Sequence, residues 1–305
     1  MKQLKNYDTK HLAEDICLKK FGKKPDRIEL CTVGMVNTVY IADVEQDRFV
    51  IRLNSEKGAY SESKRLLDNA ENIGLPVPRV IGSGTKKGYE YHVMSYMPGK
   101  DLGLVYHELS RESEKVIAAE LVMIQQKPEM LDVGSVTGKW YDFIDDMLKT
   151  AESRIINGGY FSAKKVNFVR EAARQMKDYF EAVKPAAYLD DISTKNLLID
   201  NGHISGIVDI DEIAFGDKLT YIALMRTALL NMGYDDLICD DILCEMNADA
   251  VQRKAELFYC LMYCVDFMGE RGMTFNGKKV EVSKEAIDRM NRIFDLMRNR
   301  LERLM

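Results

Sequence analysis

The sequence predicts an α+β chain in two lobes: an antiparallel β lobe with one main helix, then a mainly helical lobe carrying a small β-hairpin. Three observations lead there. Up to about residue 98, short runs rich in Val, Ile, Tyr and Phe recur at hairpin spacing. Beyond it, long stretches repeat their apolar residues at helical spacing. Within that second part, Asn201-Gly202 separates two short apolar runs, a strong hairpin signal. The length of 305 residues suits about two units of roughly 150 residues. Apolar residues at 46% and charged ones at 30% describe a globular chain with a real core, which excludes dominant disorder.

Taken in order, Thr9–Phe21 reads as an amphipathic helix with Leu12, Ile16 and Phe21 on one side. Strands follow at Arg27–Val33, Thr38–Val44 and Arg48–Asn54, the last two joined by the polar turn Glu45-Gln46-Asp47. Ser61–Asn72 is a helix with Leu66, Leu67 and Ala70 as its apolar positions and Gly74 as its stop. Leu75-Pro76-Val77-Pro78 must be extended, because proline and the residue before it resist helix. Strands at Arg79–Ser83 and Glu90–Tyr96 flank a turn at Gly84–Gly88, and Pro98-Gly99 breaks the chain. The first lobe is thus 1–98, with a hinge at about 94–99, and the helical lobe is 99–305. Its helices are expected at Glu112–Gln126, Trp140–Ile156, Ala163–Val183, Lys218–Asn231, Ala248–Gly269 and Ser283–Arg303. Its hairpin strands are Leu197–Asp200 and Ile204–Ile210.

Composition removes several function classes. With 43 Lys+Arg against 48 Asp+Glu, the net charge of −5 argues against a nucleic-acid partner. None of the six cysteines forms a C-x-x-C pair and the four histidines are scattered, so a zinc site is not expected. Unpatterned cysteines fit a reducing compartment. No apolar run is long enough for a secretion signal or a membrane span. The expectation is a cytoplasmic protein with no membrane partner.

The chemistry concentrates around the hairpin. Asp191 and Asn196 stand five apart in Asp191-Ile192-Ser193-Thr194-Lys195-Asn196, and Asp209 closes the second strand. Such a set suits phosphoryl transfer, with one carboxylate taking the proton of an attacking hydroxyl while an amide and a second carboxylate hold Mg²⁺. The plain alternatives are a turn at Asp191 and Asn196 and a cap or turn role for Asp209. Upstream lie a Gly34-containing turn, Arg52 on the third strand and Glu62 on the next helix; an ordinary surface ion pair is the alternative for these last two.

These motifs together resemble the protein-kinase-like fold, and more closely the aminoglycoside phosphotransferase and choline kinase-like small-molecule kinases. The resemblance spans about residues 27–100 and 186–225. It implies that Leu189–Asn196 is a catalytic loop with Asp191 as base and Asn196 as a metal ligand. Ile207-Val208-Asp209-Ile210-Asp211 would be the metal-binding segment, with Asp209 as main ligand, followed by Phe215-Gly216-Asp217. Arg52 would contact the nucleotide phosphates, Glu62 would pair with it, and Gly34 and Asn37 would belong to the phosphate-covering loop. The backbone of Ser95 and Met97 would bind the adenine edge of ATP, with GTP as the alternative, and Mg²⁺ would be the metal. The sequence departs from the family in having Leu189 for its usual His, Asp190 for Gly or Arg, Arg52 for Lys, and a single glycine in Gly34-Met35-Val36-Asn37.

On this resemblance the protein is expected to move the γ-phosphate of ATP to a hydroxyl of a small molecule, a cationic one such as an aminoglycoside. A choline, ethanolamine or amino-sugar kinase is the alternative, as is a nucleotide-binding pseudokinase. No Ala-Pro-Glu segment follows Asp209, which weighs against a protein substrate. Candidate acceptor residues are Asp211, Glu212, Tyr234 and Asp235. The acidic run Asp235-Asp236 to Asp240-Asp241 reads either as an electrostatic wall facing a cation or as a solvated helix start. Oligomeric state is unconstrained.

Overall fold

The Val-, Ile- and Tyr-rich runs ahead of residue 98 pair as one five-stranded antiparallel sheet. The protein is described here by a computed structural model over residues 9–31, 37–130, 138–210, 213–275 and 278–305. The opening helix is α1 (Thr9–Phe21), followed by β1 (Arg27–Cys31), β2 (Thr38–Val44) and β3 (Asp47–Asn54). Next come α2 (Ser61–Asn72), β4 (Val80–Lys86) and β5 (Tyr89–Ser95), the sheet order being β1-β2-β3-β5-β4. The β4–β5 turn is tighter than expected. Strand pairing runs through Gly84 to Lys86, leaving Lys87-Gly88 as the turn, both at positive φ (51° and 85°). Paired positive φ values match the right-handed strand twist, which favours the two-residue connection.

Period-two alternation in β2 and β3 meets the helical stripe of α1. Leu12, Ala13, Ile16 and Cys17 pack on Tyr40, Ala42, Ile51, Leu53, Tyr91 and Val93, with Phe21 and Phe49 stacked at 4.5 Å along the edge. Each such aliphatic side chain, fully buried, contributes about 1.5–3 kcal/mol.

The remaining chain is mostly helical. It runs through β6 (Lys100–Asp101), α3 (Leu102–Val105), α4 (Arg111–Gln126), α5 (Trp140–Gly158), α6 (Lys164–Gln175) and α7 (Lys177–Ala182). Then follow β7 (Ala186–Tyr188), β8 (Leu197–Asp200), β9 (His203–Ile207) and β10 (Ala214–Gly216). The final elements are α8 (Leu219–Met232), α9 (Leu237–Glu245), α10 (Ala250–Glu270), β11 (Thr274–Phe275), β12 (Lys278–Lys279) and α11 (Lys284–Glu302). The centre of this part is α10, whose Phe258, Tyr259, Leu261, Met262, Val265 and Met268 are all buried. No helix among the described residues is long and apolar enough to cross a membrane.

Several expectations shift. The single helix expected over Ala163–Val183 breaks at Met176 (φ −104°, ψ 14°), and α7 seats Phe180 against Phe258 at 4.7 Å. The acidic segment after Tyr234 contains a helix of its own, α9, because Ile238, Cys239, Ile242 and Leu243 form a buried stripe at helical spacing. The hairpin turn Asn201-Gly202 takes positive φ at both residues (51° and 78°), as its sequence requires. The second hairpin strand ends at Ile207 rather than Ile210, because Asp209 adopts φ 61°, which a strand cannot contain. By contact the chain forms two compact units: Met1–Pro98 with Gly206–Glu212, and Gly99–Ser205 with Ile213–Met305.

Candidate active site

The loop after β7 carries Asp191 and Asn196 in the helical unit. Asn196 Nδ2 donates to the carbonyl oxygen and to Oδ2 of Asp191, both at 3.0 Å. That geometry needs Asn196 in the left-handed region (φ 66°), which Asn tolerates better than most residues. The loop is pinned from both flanks. Asp101 Oδ1 accepts the Asn196 N–H at 3.0 Å, and the Gly103 N–H donates to the Thr194 carbonyl at 2.8 Å. Position 103 favours glycine, since a Cβ there would sit 2.9 Å from Thr194 Cβ and 3.0 Å from Met232 Sδ, and these side chains would have to shift. At the loop entrance, buried Gln125 from α4 donates through Nε2 to the Leu189 carbonyl at 2.7 Å. Its Oε1 accepts the Leu189 N–H at 2.9 Å.

Three further carboxylates shape this unit. Asp190 Oδ1 accepts the Asp191 N–H at 2.9 Å. Loss of solvation raises the Asp190 carboxyl above the ordinary carboxylate range, opposed by the N–H groups of Asp191 and of Asp190 itself. Asp101 is raised for the same reason, opposed by the Asn196 N–H and the charge of Lys195. Asp217 is structural: its Oδ2 accepts from Tyr179 Oη at 2.7 Å and Tyr259 Oη at 2.9 Å, and its Oδ1 accepts the Leu219 N–H that opens α8.

The β unit holds the other candidates. Arg52 on β3 is 5% exposed, and its Nη2 donates to Asp209 Oδ1 at 2.8 Å. The guanidinium lies 5.5 Å from the Tyr60 ring centroid, and Tyr60 stacks on His92 of β5 at 4.4 Å. Asn37 Oδ1 accepts from Tyr60 Oη at 2.8 Å and from Asn54 Nδ2 at 3.0 Å, so that oxygen anchors the residue just ahead of β2. The Ser95 N–H is taken by the Arg79 carbonyl at 2.9 Å, and Ser95 Oγ accepts the Arg79 N–H at 2.9 Å. The Ser95 N–H is therefore engaged within the sheet; Met97 follows two residues on and is partly exposed. Gly34, Asp211, Glu212 and the Glu62 side chain lie outside the described residues.

The acceptor candidates fare unequally. Tyr234 Oη donates to the carbonyl of Gly103, the residue whose N–H meets Thr194, at 3.3 Å, and its ring lies near Tyr106 (5.4 Å) and His107 (6.2 Å). Asp235 is exposed and accepts from Tyr106 Oη at 3.0 Å and from the Leu237 N–H at 3.2 Å. Of the acidic run Asp235 to Asp241, three carboxylates are paired with arginines. Asp236 is bound by Arg226 Nη1 at 2.5 Å and by Arg300, Asp240 by Arg226 Nη2 at 2.8 Å, and Asp241 by Arg111 Nη2 at 2.7 Å. Asp236 is buried within its ion pairs, whereas the Asp240 side chain stays 58% exposed beside Arg226.

A divalent cation fits the chemistry of the donors. Asn196 uses its Nδ2 on Asp191, which leaves the carboxamide oxygen as a hard ligand, and the Asp209 side chain is half exposed. Among the described residues no cluster of three or more His, Cys, Asp or Glu could hold a metal by itself. Mg²⁺ does not need one, since it retains waters and takes one or two protein oxygens beside phosphate.

An antiparallel β unit with a buried arginine on its third strand, and a helical unit with an Asp–Asn loop ahead of a hairpin, define a protein-kinase-like fold. The chain belongs to the phosphotransferase enzyme family, whose sequence model matches residues 27–225, and is a small-molecule kinase by that membership. Among solved structures it is similar to the apo form of a thermostable mutant of aminoglycoside phosphotransferase APH(4)-Ia. That match has a TM-score of 0.63 and 16% identity, covering 95% of this chain and 97% of that one. ADP-bound APH(2'')-Ib matches with a TM-score of 0.62 and 14% identity over 93% of this chain and 96% of that one. The gentamicin complex of APH(2'')-IIa matches with a TM-score of 0.61 and 15% identity over 99% and 97%. At these identities the likeness shows the fold. No curated protein matches the sequence.

Proposed function

We propose that the protein transfers the γ-phosphate of ATP, with Mg²⁺, to a hydroxyl group of a cationic small molecule, of which an aminoglycoside is the first candidate. The observation that carries this reading is the Asp191–Asn196 pair, in which the amide of Asn196 holds the Asp191 carboxylate in place at 3.0 Å. Asp191 is exposed, and it accepts the proton of the attacking hydroxyl. Arg52 binds phosphate oxygens through its guanidinium fork, and Gly34 and Asn37 belong to the segment that covers the phosphates. Asn196 and Asp209 hold the metal, which when bound neutralises phosphate charge. The Ser95 carbonyl and the Met97 backbone meet the edge of the purine. Glu62 supports Arg52, and Asp211 and Glu212 border the acceptor.

The acceptor reading rests on Tyr234, His107 and exposed Asp235, since aromatic faces and a carboxylate both attract a cation. Two solved fold relatives are complexes with gentamicin, and with hygromycin B and an ATP analogue. Choline, ethanolamine and amino sugars share the same hydroxyl-plus-cation chemistry. In this reading the enzyme works in the cytoplasm, and antibiotic inactivation is its physiological outcome if an aminoglycoside is the acceptor. The test is purified protein with Mg-ATP against a panel of aminoglycosides, amino-alcohols and amino sugars. One acceptor should be phosphorylated, and Asp191→Ala should abolish transfer while nucleotide still binds. Undiminished turnover in Asp191→Ala would sink the assignment of the base.

A further inference from the structure

Leu189 directly follows β7 at the entrance to the Asp191 loop and is itself buried, at 2% exposure. Its N–H and carbonyl are backbone groups that cannot be left unpaired away from water without a large cost. Both go to one side chain. Gln125, also 2% exposed, accepts the Leu189 N–H at 2.9 Å and donates to the Leu189 carbonyl at 2.7 Å, across 64 positions of sequence. Only a carboxamide, or a neutral carboxylic acid, presents a donor and an acceptor side by side in this way. Size alone does not replace it. The same helix holds the hairpin beyond the loop, where Glu120 Oε2 accepts the Ile204 N–H at 2.7 Å and Oε1 meets His203 Nδ1 at 2.7 Å. α4 therefore fixes the chain on both sides of Asp191 and Asn196.

We infer that Gln125 is a positioning residue for phosphoryl transfer: its carboxamide clamps the Leu189 peptide and thereby sets where the Asp191 carboxylate stands. The inference rests on the phosphotransfer reading above. It also accounts for an apolar residue at position 189, since the loop is held through the Leu189 backbone and needs nothing from its side chain.

The experiment measures Mg-ATP hydrolysis with water as acceptor, in wild-type protein, Asp191→Asn, Gln125→Leu and Gln125→Glu, each checked for folding by thermal melting. Gln125→Leu is expected to lower kcat by about 10- to 100-fold, the range that about 1 Å of misplacement produces, with KM for ATP within about twofold of wild type on that same basis, because no nucleotide contact changes. Gln125→Glu supplies the second readout. Burial raises the new carboxyl's pKa, and its protonated form restores both hydrogen bonds, so activity relative to wild type should climb as pH falls from 9 to 6, with the pH axis set by roughly these values. A folded Gln125→Leu enzyme with near wild-type kcat, or a pH-independent Gln125→Glu ratio, overturns the positioning role. Failure of both variants to fold assigns Gln125 to stability and overturns it equally. A wild-type protein whose hydrolysis is unaffected by Asp191→Asn overturns the phosphotransfer reading first, and this inference with it.

Discussion

Arg52 Nη2 donates to Asp209 Oδ1 at 2.8 Å, tying the third strand to a residue 157 positions later. The arginine side chain is 6% exposed and the aspartate 50%, so the pair compensates a buried cation while one carboxylate edge stays accessible. Asp209 reaches it from a left-handed backbone (φ 61°), as Asn196 does at the other end of the hairpin sequence (φ 66°). Such conformations persist where surrounding structure over-determines them, and they cluster at functional sites.

Arg52 should discriminate by shape as well as charge. Its planar fork holds a carboxylate and, in the proposed function, phosphate oxygens beside it, whereas a lysine is a point charge. Arg52→Ala is expected to raise KM for ATP by about 100-fold and Arg52→Lys by about tenfold or less, on the basis of one lost charge-assisted contact set. Steady-state kinetics at saturating acceptor checks this, and an unchanged KM in Arg52→Ala would remove Arg52 from the nucleotide site.

On the proposed metal role, Asn196→Ala and Asp209→Asn should each raise the Mg²⁺ concentration needed for half-maximal activity, because the first removes a hard oxygen donor and the second removes the carboxylate charge and one of its two oxygens. Titrating Mg²⁺ at fixed ATP measures it. Curves superimposable on wild type would take both residues out of the metal's coordination.

Gly103→Ala tests the opposite flank of the loop from Gln125. The added Cβ meets Thr194 Cβ at 2.9 Å, and overpacking of that kind costs about 1–3 kcal/mol. The expected result is a folded protein with a lower melting temperature and kcat reduced more than KM. Wild-type stability and turnover together would show that Thr194 moves aside freely.

Arg226 binds Glu256 at 2.8 Å and Asp236 at 2.5 Å with all three side chains buried. Arg226→Met leaves buried Glu256 without its cation and Asp236 with Arg300 alone, and loss of one partner of a buried ion pair costs about 3–5 kcal/mol. Urea denaturation should register that loss. A change below about 1 kcal/mol would mean the carboxylates protonate and repack easily.

The same cluster fixes an acid sensitivity. Burial works to raise the Asp236 pKa, but the guanidiniums of Arg300 and Arg226 outweigh it and hold the carboxyl below the ordinary value. A depressed folded pKa contributes stability above the unfolded value of about 3.9, and that stability is lost as pH falls through the lower folded value. Melting temperature should therefore drop below about pH 4, and Asp236→Asn should flatten that part of the curve at the expense of stability at neutral pH. An identical acid profile in the variant would contradict the assignment.

The order of elements, the Asn201-Gly202 turn and the spacing of Asp191, Asn196 and Asp209 were all readable in the chain. Each is set by interactions within a few residues, or by a repeat that one face of a helix or strand imposes. Helix α9 was legible only as one of two alternatives, a helix start, because its acidic residues outweighed a short apolar stripe. The break at Met176 escaped because it follows from where Phe180 packs. Tertiary structure alone decided that Gln125 grips Leu189, that Asp101 caps Asn196, that Asn37 anchors to Tyr60 and Asn54, and that Asp236, Asp240 and Asp241 pair with arginines. These are hydrogen bonds and ion pairs formed to satisfy polar groups of distant segments on packing. A donor's or acceptor's partner is chosen by proximity in the folded chain, for which residue spacing carries no local signal.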